Sequence, residues 1–377
     1  MSARPIRVLH VLGALNRGGA ETWILNVLRH IDRDRFRLDF AVHTSQPAAY
    51  DDEARALGAR IFPCLRPHRP LRYLRNLRRI LESEGPYDVV HSHVHHYSGI
   101  VLWQARRCGV RTRLAHSHSD TSGPDRAAGM ARRGYLKLTE RLVRRHATGG
   151  LAASDQAASA LFGRAWRQDP RWRLLFCGID LAPFERPWDR APIAREFGIA
   201  PDAVIFGHVG RFEPQKNHLF LVDLFARIAE SLPSAHLCLV GDGSLRGAVE
   251  ERVRQLGLER RVAFAGVRED VPKLLLGLFD AFLLPSLFEG LPVALLEAQA
   301  AGVPCVVSDA ISPQAAALPG LVSRLPLGAS ADAWAAVAIA RATGTPRDRS
   351  SLEILRHGEF DILVSVRSLE AIYANRA

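Results

Sequence analysis

The stretch from Leu283 to Asp309, LLPSLFEGLPVALLEAQAAGVPCVVSD, leaves the chain few local structures to choose from. Its apolar start closes at Pro285 and reads as the end of a buried parallel strand, since a continuous apolar run offers water no face. Ser286-Leu287-Phe288-Glu289-Gly290 is then a loop. Pro292 suits a first helical position, where its missing N–H would be unpaired anyway, and the residues from Val293 to Ala301 favour a helix that Gly302 and Pro304 stop. Cys305-Val306-Val307 makes a second short strand. Strand, loop, helix, strand is a βαβ unit, and ligands of such sheets sit where loops leave the carboxyl ends of strands.

Two carboxylates stand at that place, Glu289 in the loop and Glu297 on the helix, with seven residues between them. Eight helical rises span roughly 12 Å, about the distance from a sugar hydroxyl to the ribose of a nucleotide diphosphate sugar. The free N–H groups near Gly290 and Leu291, with the positive end of the helix dipole, favour a diphosphate between the two acids. Taken alone, the pair reads equally well as a solvated acid and a helix-surface acid. Arg211 and Lys216, five residues apart on a strand-to-helix turn, are placed to converge on one diphosphate.

Three segments precede this one in order: GHVGRFEPQKN from Gly207 to Asn217, VGDGSLR from Val240 to Arg246, and VAFAGVREDV from Val262 to Val271. With Glu289 and Glu297 as an E-x7-E element, they resemble the retaining family 4 glycosyltransferases of the GT-B fold, of the capsular and exopolysaccharide type. The four motifs cover about a hundred residues, and the likeness runs more weakly through nearly the whole chain. It implies an α/β protein of two doubly wound, Rossmann-like domains facing across a cleft. Residues 1–180 would form the acceptor-side domain, 181–350 the nucleotide-sugar-binding domain, and 351–377 a helix returning to the first.

The resemblance also implies roles. Arg211, Lys216 and the Gly290–Leu291 amides would hold the donor diphosphate, Glu289 the sugar hydroxyls, Glu297 the ribose, and the backbone of Val267 and Arg268 the base. The glycine loop of Gly18 and Gly19 would face the donor phosphates, although a tight turn explains those glycines equally well. His91 and His93 end one strand and His116 and His118 another, all at the acceptor side of the cleft. His118 fits the position beside the anomeric carbon best, with His116 as the alternative. The candidate catalytic residues are therefore His118, Arg211, Lys216 and Glu289. No metal or other cofactor is expected: the histidine run lacks a carboxylate or cysteine completing a ligand set, and the D-x-D spacing of Asp32 and Asp34 reads as surface loop.

Two departures weaken single contacts. Cys177 stands where the family often has asparagine before Gly-Ile-Asp, and Ala310-Ile311-Ser312-Pro313-Gln314 replaces a frequent glycine-rich, glutamate-containing loop. Gly241-Asp242-Gly243 suggests a dinucleotide fold only weakly, since Arg246 occupies the place of a third glycine.

Charge points to the second substrate. Of the net +11 over 377 residues, positions 1–180 carry 30 Arg and Lys against 16 Asp and Glu, so the remainder is slightly acidic. Arg66, Arg69, Arg72, Arg75, Arg78 and Arg79 interleave with leucines as an amphipathic helix, and Arg132, Arg133, Lys137, Arg141, Arg144 and Arg145 follow on another. Such helices suit an anionic membrane surface and a lipid-linked acceptor; an ordinary surface helix packed by its leucines is the plainer reading. Nucleic acid is disfavoured because no aromatic stacking residues interleave with the arginines. Five scattered cysteines without a C-x-x-C pair fit a reducing cytosol, and Ile6 to Leu12, with Arg7 and His10 inside it, reads as a first strand and not a signal peptide. The expectation is a cytoplasmic enzyme, peripheral on the inner membrane face, that moves a sugar from a nucleotide diphosphate sugar, UDP-linked, to a saccharide or lipid-linked acceptor. A nucleotide-sugar epimerase of the same fold and a non-catalytic sugar-nucleotide or anionic-polymer binding protein are the alternatives.

Overall fold

The computed structural model describes residues 4–65, 67–119, 129–344, 347 and 350–375. They fall into two compact units: Met1–Gly178 with Ile362–Ala377, and Ile179–Asp361. Each is one parallel sheet flanked by helices, the arrangement that buries strands on both faces and so permits the continuous apolar runs of the sequence.

In the first unit the strands are β1 Ile6–Leu12, β2 Phe36–Val42, β3 Ile61–Pro63, β4 Val89–Ser92, β5 Thr112–Ser117, β6 Gly149–Ala152 and β7 Trp172–Leu174, ordered β3-β2-β1-β4-β5-β6-β7. In the second they are β8 Val204–Val209, β9 Ala235–Val240, β10 Val262–Gly266, β11 Ala281–Leu284, β12 Cys305–Ser308 and β13 Val322–Leu325, ordered β10-β9-β8-β11-β12-β13. Each order reverses once, between β1 and β4 and between β8 and β11. The loops leaving the two strands at a reversal diverge to opposite faces of the sheet, which opens a crevice at their carboxyl ends. The register pairs His10 with His91 at the first reversal and His91 with Leu114, so His116 on β5 stands two residues beyond the level of His91 and on the same face as Leu114.

The helix Ile362–Ala374 belongs to the first unit, where Val366, Leu369 and Tyr373 are buried and Ser365 Oγ accepts the indole N–H of Trp23 at 3.0 Å. Ser351–Leu355 is a separate short helix in the second unit, packed on the helix Val293–Ala300. Pro292 is the cap of that latter helix and not its first residue, with an extended ψ of 102°. Its carbonyl accepts from Leu295 N–H at 3.0 Å, so the proline ends the loop before the turn begins.

Two glycines of the VGDGS segment have a backbone explanation. Gly241 and Gly243 lie at φ +131° and +159°, and a Cβ on Gly243 would come within 2.7 Å of the Phe212 carbonyl. Bonds from Gly210 N–H to Val240 O and from Phe212 N–H to Asp242 O, both 2.9 Å, lay this turn along the loop that follows β8. The glycines thus shape the neighbouring loop.

The basic helix spans Pro70–Ser83 and buries Tyr73, Leu77, Ile80 and Leu81. Arg69, Arg72, Arg75, Arg78 and Arg79 are exposed, as is Leu71 at 74%; Arg66 lies outside the described residues. The second basic helix, Met130–His146, leaves Met130 89% and Leu138 56% exposed beside its cations. Among the described residues no helix is long and apolar enough to cross a membrane.

Gly207, buried in β8, faces the Phe279 ring with no room for a Cβ, whereas one on Gly247 would meet nothing. Gly207→Ala should cost about 1–3 kcal/mol by overpacking. Gly247→Ala, on the exposed face of the helix Arg246–Gln255, should be neutral or stabilising. Thermal melts of the two variants check this; equal midpoints would refute it.

Candidate functional site

In the second unit the loops leaving β8 and β11 are tied together. Lys216 Nζ lies 2.6 Å from Glu289 Oε1, with the two side chains only 16% and 7% exposed. Gln215 Nε2 donates to the other carboxylate oxygen at 3.0 Å and to the Phe288 carbonyl at 2.9 Å. Leu287 N–H returns a bond to the Gln215 carbonyl at 2.8 Å, and Asn217 Nδ2 donates to Pro285 O at 3.2 Å. Asn217 takes the left-handed conformation, φ 57°, which asparagine tolerates and which swings the chain from this turn into the helix His218–Ser231. A Cβ at Gly210 would sit 3.1 Å from Lys216 Cε, so the glycine makes room for the lysine stem.

The other residues of this half divide. Arg211 is exposed and takes no part in the pair. Gly290 and Leu291 are buried just ahead of the helix Val293–Ala300. On that helix Glu297 is half-buried without a hydrogen-bond or ion-pair partner among the described residues, and burial pushes its carboxyl up to about 7. A half-buried acid with no cation paired to it among the described residues is a candidate to meet a ligand. Val267 is exposed, whereas the Arg268 guanidinium bonds Asp270 at 2.7 and 2.8 Å and also Glu196. Those acids leave the Arg268 side chain little freedom; its backbone remains the part able to serve a base.

In the first unit Gly18 caps the helix Gly19–His30 with extended backbone, φ −154°, so a left-handed turn is not its reason. A Cβ there would collide with the Glu21 carboxylate of the first helical turn. His91, His93, His116 and His118 come together as a stack of rings. His116 and His118 lie 4.0 Å apart, His91 and His93 4.2 Å, and His91 and His116 5.2 Å with their planes at 3°. Alternation along a strand explains the grouping, since residues two apart share a face. His91 and His116 are fully buried, while His93 and His118 reach partial exposure, which fits His118 better than His116 as the ring that meets a ligand.

Three members were not read as partners of these histidines from sequence. His10 on β1 joins through His93, 2.9 Å away; Tyr373 reaches His91 Nδ1 at 2.8 Å; and Cys177 lies 3.6 Å from His118 Nδ1. His10 had a signal, as a histidine inside an apolar strand of the same sheet. Gln215 likewise went unread beside Lys216. Tyr373 had no signal, because nothing local ties a residue of the last helix to the first strand.

Two triads, His10-His91-His93 and His93-His116-His118, each bring three ring nitrogens within 4.8 Å, close enough for a metal ion to be considered. The links between His10 and His93 and between His93 and His118, at 2.9 and 2.8 Å, join the rings to one another by hydrogen bonds.

Burial holds these imidazoles neutral. His10 and His118 are pushed down to about 3, and His91, His93 and His116 well below the ordinary value, by loss of water first and by mutual repulsion second. The unfolded chain takes up protons below about pH 6.5 while the folded chain does not, so stability falls as pH drops from about 6.5 toward 3. For fully buried His10 alone the loss by pH 5 is about 2 kcal/mol. Denaturant titrations at pH 7 and 5 should show the decline, with a shallower slope for His10→Gln; a pH-independent midpoint would refute it.

The family described as "Glycosyl transferases group 1" matches residues 189–319, and that described as "Glycosyl transferase 4-like domain" matches residues 18–175. EpsF of Bacillus subtilis (strain 168), named as a glycosyltransferase, is 39% identical over 99% of this chain and 97% of its own. The Escherichia coli UDP-Gal:alpha-D-GlcNAc-diphosphoundecaprenol alpha-1,3-galactosyltransferase is 26% identical over 81% of this chain and 79% of its own. Among solved structures, Anabaena HepE in complex with UDP-glucose superposes with a TM-score of 0.80 at 19% identity, covering 98% of this chain and all of HepE. That likeness shows the GT-B fold, in which both parallel sheets are Rossmann-like. The chain therefore belongs to the group 1, family 4 glycosyltransferases.

Proposed function

We propose that this glycosyltransferase takes a UDP-linked sugar as donor, holds it chiefly with the second unit, and transfers the sugar with retention of anomeric configuration and without a metal. The observation that carries the reading is the Lys216–Glu289–Gln215 constellation at the β8/β11 reversal, with the unpartnered Glu297 on the helix beyond. HepE, of the same fold, is solved with UDP-glucose, which supports the choice of donor.

The chemistry follows from the donors available. A lysine ammonium has three N–H donors, and one on Glu289 leaves two for a diphosphate. Breaking the bond between sugar and phosphate builds negative charge on the leaving diphosphate. Lys216, Arg211 and the amides near Gly290 stand ready to offset that charge where it develops, without reorganising. Glu289, fixed by Lys216 and Gln215, accepts from sugar hydroxyls, and Glu297 accepts from the ribose. His118 orients the sugar near its anomeric carbon, and His91, His93 and His116 support it from behind.

The acceptor is a saccharide carried on a lipid diphosphate, in assembly of a cell-surface polysaccharide at the cytoplasmic face of the membrane. Support comes from the E. coli relative's name, which specifies a diphosphoundecaprenol acceptor, and from the two exposed basic helices of the first unit. Arg69, Arg72, Arg75, Arg78 and Arg79 supply charge for anionic head groups, while Met130 and Leu138 offer apolar contact beside Arg132, Arg133 and Lys137.

Two measurements test these assignments. A ribose bound to Glu297 favours the ionised carboxylate, so UDP affinity measured by calorimetry should fall as pH drops through about 7. Glu297→Ala should lower the affinity and remove that dependence, while Lys216→Ala should reduce turnover more than binding; near wild-type behaviour of both variants would sink the donor site. Flotation with vesicles containing anionic lipid should show binding that weakens with salt and is lost when Arg72, Arg75 and Arg79 are neutralised together. Unchanged partitioning would discard the membrane contact.

A further inference from the structure

The backbone pairing of β8 with β11 ends early: Phe206 lies opposite Ala281 and Gly207 opposite Phe282, the last level of the ladder. Side chains and loop backbone carry the contact outward from there. His208 Nδ1 lies 2.8 Å from the Leu283 carbonyl, Asn217 Nδ2 3.2 Å from that of Pro285, and Leu287 N 2.8 Å from that of Gln215. Lys216 and Gln215 close the series on the Glu289 carboxylate, at 2.6 and 3.0 Å. On the β11 side the bonded residues are Leu283, Pro285, Leu287 and Glu289, every second position, which is the period of a ladder between neighbouring strands. His208 is the rung nearest the sheet, and the Lys216–Glu289 pair is the rung farthest from it.

A carbonyl only accepts, so His208 brings the hydrogen of its bond, at Nδ1. The ring is fully buried, and Nε2 has no hydrogen-bond partner among the described residues. A polar atom left so costs free energy that an apolar side chain of similar size would avoid. Filling space therefore does not account for a histidine at this position, whereas the bond to Leu283 does. The far edge of the ring bears on the lysine. A Cβ at Gly210 would sit 3.0 Å from His208 Nε2 and 3.1 Å from Lys216 Cε, so the ring and the lysine stem flank one small space. One side of the imidazole holds the β11 carbonyl, and the other limits where the stem can lie.

We propose that His208 is a positioning residue for transfer: it bridges β8 to the Leu283 carbonyl beyond the last backbone pair, and so fixes the Lys216 and Glu289 loops relative to the sheet. The proposal rests on the reading that Lys216 meets the donor diphosphate. Asn217, Gln215 and Lys216 bind the two loops to each other. Without the His208 rung those bonds can persist while both loops shift together, so the ion pair survives in the wrong place. Misplacing a preorganised charge by an ångström slows the step that needs it by about a hundredfold, and weakens binding less.

The experiment uses the full chain and reads the ring and the reaction separately. Long-range nitrogen–proton correlation NMR with 15N-histidine at pH 7.5 should show the His208 ring, assigned by its absence in His208→Asn, with its hydrogen on Nδ1. A ring protonated only at Nε2 would overturn the proposal whether or not any variant folds. Turnover is followed as UDP release from UDP-glucose, UDP-galactose or UDP-N-acetylglucosamine, whichever the wild type cleaves fastest. In His208→Leu kcat should drop about tenfold to a hundredfold, with UDP affinity by calorimetry within about threefold. In His208→Asn, whose amide nitrogen lies as many bonds from the backbone as Nδ1, most of that kcat should return. A lower melting midpoint with wild-type kcat in the leucine variant would show a merely structural role and overturn the proposal, as would an asparagine variant as slow as the leucine one. Adding His208→Leu to Lys216→Ala should slow the enzyme no further, because both act through one ammonium; effects that multiply would overturn the proposal as well. Normal turnover by Lys216→Ala is the separate result that removes the reading of Lys216, and with it the role of His208.

Discussion

A carboxylate almost withdrawn from water survives at Glu289 because Lys216 and Gln215 meet both of its oxygens. Removing one partner of such a pair leaves an uncompensated buried charge, typically at a cost of about 3–5 kcal/mol, so the two loops that supply the pair are obliged to stay together. Much of the second unit serves that obligation. Asn217 takes a left-handed turn to aim Lys216, Gly210 leaves room for its stem, and the turn at Gly241–Gly243 backs the loop that carries it. The same pairing keeps a cation and an anion in place before any substrate arrives, which is the preorganisation that charge-separating chemistry needs.

The first unit solves the opposite problem in another way. Five histidines at the ends of β1, β4 and β5 have no acid among them, and full charge on stacked rings 4.0–5.2 Å apart would be prohibitive. Burial keeps them neutral, and neutral rings satisfy one another because each brings one donor and one acceptor. Under the proposed function, the ion pair lies where the donor brings negative charge and the neutral rings lie where its hydroxyls are met.

The glycines show how a motif can be sound and its first explanation incomplete. Gly18 and Gly19 invite a phosphate reading, and a Cβ at Gly18 would require only a shift of the Glu21 carboxylate, the far end of a flexible side chain. Gly241 and Gly243 invite a dinucleotide reading and are accounted for by the backbone they lie against. At Gly241 and Gly243 the missing side chain answers backbone within the protein.

Local pattern made the first strand, the two basic helices and the βαβ unit around Glu289 legible, because apolar runs bounded by glycine and proline have few ways to bury themselves, whereas the two-domain organisation came from the family resemblance. The motif order likewise marked Lys216, Glu289 and Glu297, since polar residues where strands give way to loops are placed for ligands whatever the rest of the fold does. That Lys216 and Glu289, separated by more than seventy positions, form a pair was decided by β8 lying next to β11. That His10 and Tyr373, from opposite ends of the chain, complete the histidine row was decided by strand register and by the return of the last helix. Local pattern specifies which face a residue takes, and contact between distant segments depends on the order of strands in the sheet, which no local pattern carries.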